Sequence, residues 1–219
     1  MASARLLRLP LLAPALLLLA CSGGEAAEAP QQAVRDPGAG PCAGAERQRE
    51  IDASRSPERA ALVRRIAGVP APEAATPTGP LSPRVLDRAE LLSVGQEQSL
   101  AEASAALEGA TTDQLAVVTI RELGGLTIEQ FGLSLGNAWG VGRRDRDNGV
   151  VLLVAPTQRK VRIEVGCGLE STLTDARAAE IVDRMLPHFS EGNHARAIAL
   201  GVSEIDGVLR ARPERPNAG

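Results

Sequence analysis

Two apolar runs joined by one short turn, Val150–Val154 and Val161–Val165, constrain this chain more than any other stretch. The first is continuous, which suits a central strand covered on both faces. The second alternates with Arg162 and Glu164, so it carries one polar face and is expected nearer a sheet edge. Pro156-Thr157-Gln158-Arg159 between them is a turn, so the runs pair as an antiparallel hairpin. That pairing sets Asp147-Asn148-Gly149, before the first strand, beside Gly166-Cys167-Gly168, after the second.

The flanking pattern supplies the other elements. Ser93 and Gln96 have capping-box spacing, with Leu100, Ala103 and Leu107 at helical intervals and Gly109 as the expected stop. Leu115, Val117, Val118 and Ile120 mark a buried strand over 114–120. Thr127 and Gln130 repeat the capping spacing, and Ile128, Phe131, Leu135 and Trp139 form the stripe of a second helix ended by Gly140 and Gly142. Thr174-Asp175 opens a third helix with a carboxylate in its first turn, where the dipole favours it. A last helix over about 195–212 carries Ile198, Val202, Ile205 and Leu209. Strand, helix and strand imply a right-handed parallel crossover, to which the turn adds an antiparallel strand. The fold class is α/β: a three-layer α/β/α sandwich with a small mixed β-sheet.

Around this core the chain changes character. Arg5 and Arg8 precede an apolar run over 9–19 that Pro10 and Pro14 interrupt. A membrane-spanning helix needs roughly 20 apolar residues, so residues 1–20 read as a signal peptide. Leu18-Leu19-Ala20-Cys21 resembles a bacterial lipobox, which makes Cys21 the lipidation site; Ser22 after it indicates the outer membrane, on the periplasmic side. Residues 21–80 are rich in Ala, Pro, Gly, Glu and Arg and read as a flexible tether. Within it, 47–66 has Leu62, Val63 and Ile66 on one side and is expected as a solvated or transient helix. The globular domain runs over 81–212, with 213–219 a disordered tail. A net charge of -3 and only two Phe and one Trp exclude a basic, ring-lined nucleic-acid surface. Beyond Cys21 the cysteines are Cys42 and Cys167, and a bridge between them stays open in an oxidising compartment.

The convergence at the hairpin mouth is the candidate site. Asp147, Asn148 and, across a short loop, Asp175 offer oxygens of the kind Ca²⁺ or Mg²⁺ takes. Gly166 and Gly168 would let backbone groups approach a ligand, and the third helix would offer free N–H groups to an anion. Arg143, Arg144 and Arg162 are candidates for holding phosphate beside a cation. Each piece has a plainer reading: Asn-Gly as a turn, Thr-Asp as a cap, the arginines as solvated. The site also lies at the edge opposite to the one open α/β sheets normally use. No P-loop is present, and the Gly-x-Ser-x-Gly spacing from Gly132 to Gly136 falls inside the expected second helix rather than at a strand-to-helix elbow.

Val85-x-Asp87-x-Ala89, Leu92-Ser93, Val117-Val118-Thr119, Trp139-Gly140-Val141-Gly142, Asp147-Asn148-Gly149-Val150, Val161-Arg162-Ile163-Glu164-Val165-Gly166, Gly168-Leu169-Glu170 and Leu173-Thr174-Asp175 occur in one order. In that order they resemble the TPM domain family, named after thylakoid-lumen, photosystem-repair and receptor-modulator proteins. The resemblance spans 81–209 and departs at Glu90, where a glycine is usual, and at Cys167, where a larger residue stands. It implies an α/β/α sandwich and a divalent cation, calcium with magnesium as the alternative, at Asp87, Asp147, Asp175 and, more weakly, Asn148. Plant relatives are described as acid phosphatases. Two functions follow as expectations: a lipid-anchored, cation-binding module that docks another envelope protein, or a metal-assisted phosphomonoesterase. The lack of a nucleophile signature favours the first.

Overall fold

The computed structural model describes residues 31–32, 45–69, 81 and 83–212. The expected signal peptide, Cys21, Cys42, most of the tether and the tail 213–219 lie outside the described residues. In chain order the elements are β1 (Gln31–Gln32), α1 (Ala45–Ser54), α2 (Pro57–Ala67), β2 (Val85–Asp87), α3 (Val94–Thr111) and β3 (Gln114–Thr119). There follow α4 (Ile128–Trp139), β4 (Gly149–Ala155), a 3-10 turn (Pro156–Gln158), β5 (Lys160–Val165), α5 (Asp175–Ser190) and α6 (His194–Arg210).

The sheet has the order β1-β5-β4-β3-β2. Strands β2, β3 and β4 are mutually parallel, and β5 returns antiparallel with Val150 opposite Val165 and Val154 opposite Val161. The crossover and the hairpin therefore stand as the periodicity implies. The short β2, and Gln31–Gln32 parallel to β5, are additions. All seven residues of β4 are buried, as a strand covered on both faces requires.

Alternation along the strands builds two cores. Leu115, Val117, Val150, Leu152, Val154, Val161, Ile163 and Val165 face α3, α5 and α6. Ala116, Val118, Val151 and Leu153 face α2 and α4. Both anticipated capping boxes form, at Ser93 with Gln96 and at Thr127 with Gln130. Gly109 does not stop α3. Its Cα faces open space, and the helix runs on to Thr111 before Thr112 caps it at φ 66°. Across the outer helices, Arg184 of α5 donates to Glu204 of α6 at 2.7 Å, and that hydrogen bond raises the Arg184 pKa.

Two expectations change. Strand β5 is polar on one face but not solvated there, since Arg162 and Glu164 are each 6% exposed and bonded at 3.0 Å beneath α4. Residues 45–69, expected as tether with a solvated or transient helix over 47–66, form two helices packed against α4. Val63 and Ala67 are fully buried in that core with Phe131 and Leu135. A stripe of three apolar residues, Leu62, Val63 and Ile66, among many charges looked too thin to bury, but α4 offers it a ready apolar surface. Ser56 caps α2, and Arg88 closes its other end by donating to Ala67 O at 2.9 Å and Gly68 O at 3.2 Å.

Substituting Val63→Asp would place a carboxylate with no partner in that layer. The expected outcome is release of α1 and α2 with the sheet intact. Hydrogen exchange should accelerate across 45–69 while β3 and β4 stay protected; loss of protection in both strands would make the helices integral to the sheet instead.

Candidate functional site

The mouth of the β4–β5 hairpin is assembled by backbone packing. Gly168 N–H donates to Asp147 O at 3.0 Å, and Gly166 N–H to Gly149 O at 2.8 Å. A Cβ at Gly166 would lie 2.2 Å from Asp147 O, and one at Gly168 would lie 1.8 Å from Arg146 O. Gly149 is equally tight against Val141 O, at 2.4 Å. These glycines therefore exist so that loop 141–149 and turn 166–168 can touch. They are not open platforms for phosphate, as the sequence reading had Gly166 and Gly168.

Asn148 fastens the same loop. Its Nδ2 donates to Thr112 O at 2.8 Å and Asp113 Oδ1 at 3.1 Å, while its Oδ1 accepts from Arg143 N–H at 2.9 Å. Asp113 in turn pairs with Arg212 at 3.0 Å. Next to it Gln114 Oε1 accepts from Gly142 N–H at 2.8 Å, and its Nε2 donates to Glu108, itself paired with Arg84. With its amide wholly committed and 3% exposed, Asn148 is a loop staple rather than a cation ligand.

The other expected ligands do not gather. Asp87 ends β2 level with Thr119 on β3, and Thr119 is level with Val154, the far end of β4 from Asp147. Its carboxylate accepts from Leu91 N–H, Leu92 N–H and the Thr119 hydroxyl, which shapes the turn after β2. In that turn Glu90 stands at φ 56°, which explains why glycine is usual there. Asp175 opens α5, whose buried side packs on the face of the sheet away from α4. Among the described residues no three His, Cys, Asp or Glu side chains are grouped to hold a metal ion. Asp87 and Asp147, at opposite ends of the sheet, therefore do not share a calcium or magnesium ion.

What the mouth does hold is a pocket of about 100 Å³ on the α4 face. Its floor is Gly149, Val151, Glu164 and Val165, one wall is Leu133, Gly136 and Asn137 of α4, and Val141, Asp147, Gly166 and Cys167 form the rim. The last wall is Ile51 of α1 and Arg55 just beyond it. Asn137 Nδ2 donates to Ser54 Oγ at 2.8 Å and holds α1 against α4. Asp147 is exposed at φ 46°, and neither its carboxylate nor the Arg55 guanidinium has an ion-pair partner among the described residues. Arg162 is paired with Glu164 beneath the pocket rather than offered to phosphate. Arg144 is exposed, and Arg143 is half-buried with its backbone in the Asn148 staple. Ile51 and Arg55 were missed because nothing in their sequence context marks a site; Arg162 and Glu164 were legible as opposite charges two apart on one strand face.

A small α/β/α domain with a mixed sheet and a pocket at its hairpin mouth is the class this structure defines. Residues 85–208 match the family described as TPM domain, and the chain belongs to that family. Among solved structures, the N-terminal domain of a protein from P. gingivalis is 38% identical, with a TM-score of 0.56, over 64% of this chain and 88% of that one. The N-terminal domain of a Corynebacterium glutamicum protein is 16% identical, with a TM-score of 0.48, over 64% and 94%. No curated protein gives a match.

Glycine substitutions separate the two kinds of glycine in the fold. Gly168→Ala should destabilise by about 1–3 kcal/mol, because its Cβ must push the Arg146 carbonyl away. Gly207→Ala, in open space within α6, should stabilise by up to about 1 kcal/mol. Denaturant titration of both variants checks the pair; equal effects would refute the close-packed mouth.

Proposed function

We propose that the protein is an envelope-anchored TPM-domain module that docks a partner protein through the hairpin-mouth pocket without catalysis. The observation that carries it is the pocket's chemistry: Ile51, Leu133, Val141 and Val151 line it beside an Asp147 carboxylate and an Arg55 guanidinium that have no ion-pair partner among the described residues. About 100 Å³ suits one aliphatic side chain of an extended segment, with a flanking cation facing Asp147. The lipobox-like Cys21 supports attachment to the outer membrane, and among the described residues no helix is long and apolar enough to cross a bilayer. Arg162 is engaged by Glu164 and so is not offered to a phosphoryl group. Calcium enters this reading as a variable of the test and not as a structural part.

A photocrosslinking residue at Arg55 in the full-length, membrane-attached protein reads the docking directly. A discrete adduct with one envelope protein is expected, lost when Gly136→Leu fills the pocket and kept when an exposed site such as Val94 is altered. Hydrolysis of p-nitrophenyl phosphate should stay at background with or without calcium. Turnover abolished by Asp147→Asn in a folded variant would overturn the docking reading in favour of a metal-assisted phosphatase.

A further inference from the structure

The loop that carries Asp147 to the pocket rim hangs from two buried carboxylates, each with its own arginine. Glu108 pairs with Arg84 and accepts from Gln114 Nε2 at 2.9 Å, while Gln114 Oε1 holds Gly142 N–H at 2.8 Å. Asp113, 1% exposed, accepts from Asn148 Nδ2 at 3.1 Å, while Asn148 Oδ1 holds Arg143 N–H at 2.9 Å. The cation beside Asp113 comes from 99 positions later: Arg212 Nη2 lies 3.0 Å from Oδ2 and donates to Oδ1 at 3.2 Å. We infer that Arg212 is a positioning residue for the pocket. Its charge keeps the Asp113 carboxylate in place, and through Asn148 that carboxylate holds Asp147 at the rim.

The chain of causes runs through three contacts. Among the described residues Asp113 pairs with no other cation. A carboxylate left buried without its cation takes up a proton or turns out to solvent. Either way the charge-assisted bond from Asn148 Nδ2 is weakened or lost. Asn148 keeps its bond to Thr112 O at 2.8 Å but loses the second anchor that fixes its amide, and Arg143 N–H depends on the far side of that amide. Asp147 N–H donates to Arg143 O at 2.7 Å, and Asp147 stands at φ 46°, a posture that persists only where its surroundings impose it. With Arg143 released, Asp147 relaxes to ordinary backbone and its carboxylate leaves the rim.

The two anchors differ in kind. Arg84 leads directly into β2 and is fixed with the sheet, and the bond from Arg146 Nη1 to Thr112 Oγ1 at 3.0 Å is an exposed tie. Arg212 stands just past the end of α6, with its N–H 3.4 Å from Leu209 O. It also lies beyond the residues 85–208 that match the family, as Ile51 and Arg55 lie before them. The end of α6 thus acts on the pocket from the opposite end of the domain's sequence.

Hydrogen exchange of the full-length protein, read residue by residue, tests this with no partner present. Arg212→Gln should speed exchange at the Arg143 and Asp147 N–H groups at least about tenfold, with Val151–Val154 of β4 unchanged. A single Nη2 serves both Asp113 oxygens, so no guanidinium fork is needed, and Arg212→Lys should stay within about twofold of wild type. In the Asp113→Asn background, where no buried charge needs a cation, Arg212→Gln should add less than about twofold. Unchanged exchange at Arg143 and Asp147 in Arg212→Gln overturns the inference. Equal acceleration through β4 does so too, because Arg212 would then be a general stabiliser. An undiminished effect in Asp113→Asn routes the coupling past Asp113, and Arg212→Lys as fast as Arg212→Gln removes charge as its cause; each overturns it. Crosslinking from Arg55 should fall in Arg212→Gln and recover in Arg212→Lys, and this consequence alone rests on the docking reading. An adduct undiminished while exchange accelerates overturns the link from rim to docking, whereas no adduct in wild type refutes docking and leaves the exchange result decisive.

Discussion

The pairing of β4 with β5 is the contact on which the rest of the molecule depends. Its register, Val150 opposite Val165, fixes which side chains point to each core, and a one-residue slip would exchange the two faces of β5. The register is pinned at the open end by glycine. Gly166 N–H meets Gly149 O and Gly168 N–H meets Asp147 O, at separations that admit no Cβ. A hairpin is ordinarily fixed by its turn; here the mouth is fixed as well, and both loops leaving it inherit defined positions. The Asn148 staple carries that order on to Thr112 and Asp113 at the start of β3.

The same register turns Arg162 and Glu164 inward toward α4. A buried ion pair is retained only if its desolvation is offset by geometry and by further partners, and removing one member usually destabilises more than the pair stabilises. Helix α4 lies over this pair, and a Cβ at Gly132 would meet the Glu164 Cβ in ordinary contact at 3.7 Å. The layer of α1, α2 and α4 thus covers a sheet face that is not purely apolar. Helices α1 and α2 extend that cover beyond the reach of α4 alone, with Asn137 to Ser54 at one point and Val63 among Leu86, Phe131 and Leu135 at another.

Much of this was legible. Periodicity located β3, β4, β5 and the four helices behind them, because each buries a stripe of the right period against a neighbour. Capping chemistry located three helix starts, at Ser93, Thr127 and Thr174. Local reasoning failed where the deciding partner was remote in sequence. Val63 and Ala67 looked solvated because α4, which buries them, begins some sixty residues later. Asp87 stood as a ligand only through the family resemblance, and its backbone donors, Leu91 and Leu92, leave no trace in residue identity. Gly168 looked like a ligand platform because sequence cannot distinguish a glycine that admits a substrate from one that admits a carbonyl.

That last ambiguity bears on how far the family can inform function. The match covers 85–208, and the pocket's floor and rim fall inside it. Ile51 and Arg55 do not, so one wall of the pocket, and the only cation on its rim among the lining residues, come from outside the matched domain. A domain of this class without such helices would present Leu133, Gly136 and Val151 to solvent as an open groove. Here the appended pair narrows that groove to the dimensions of a side chain and gives it a charge of each sign. If the pocket docks a partner as proposed, its choice would reside in the segment outside the match, because a charge that must be matched or left unpaired discriminates more strongly than an apolar contact. The matched hairpin supplies the pocket's floor and rim, and the helices outside the match supply one wall.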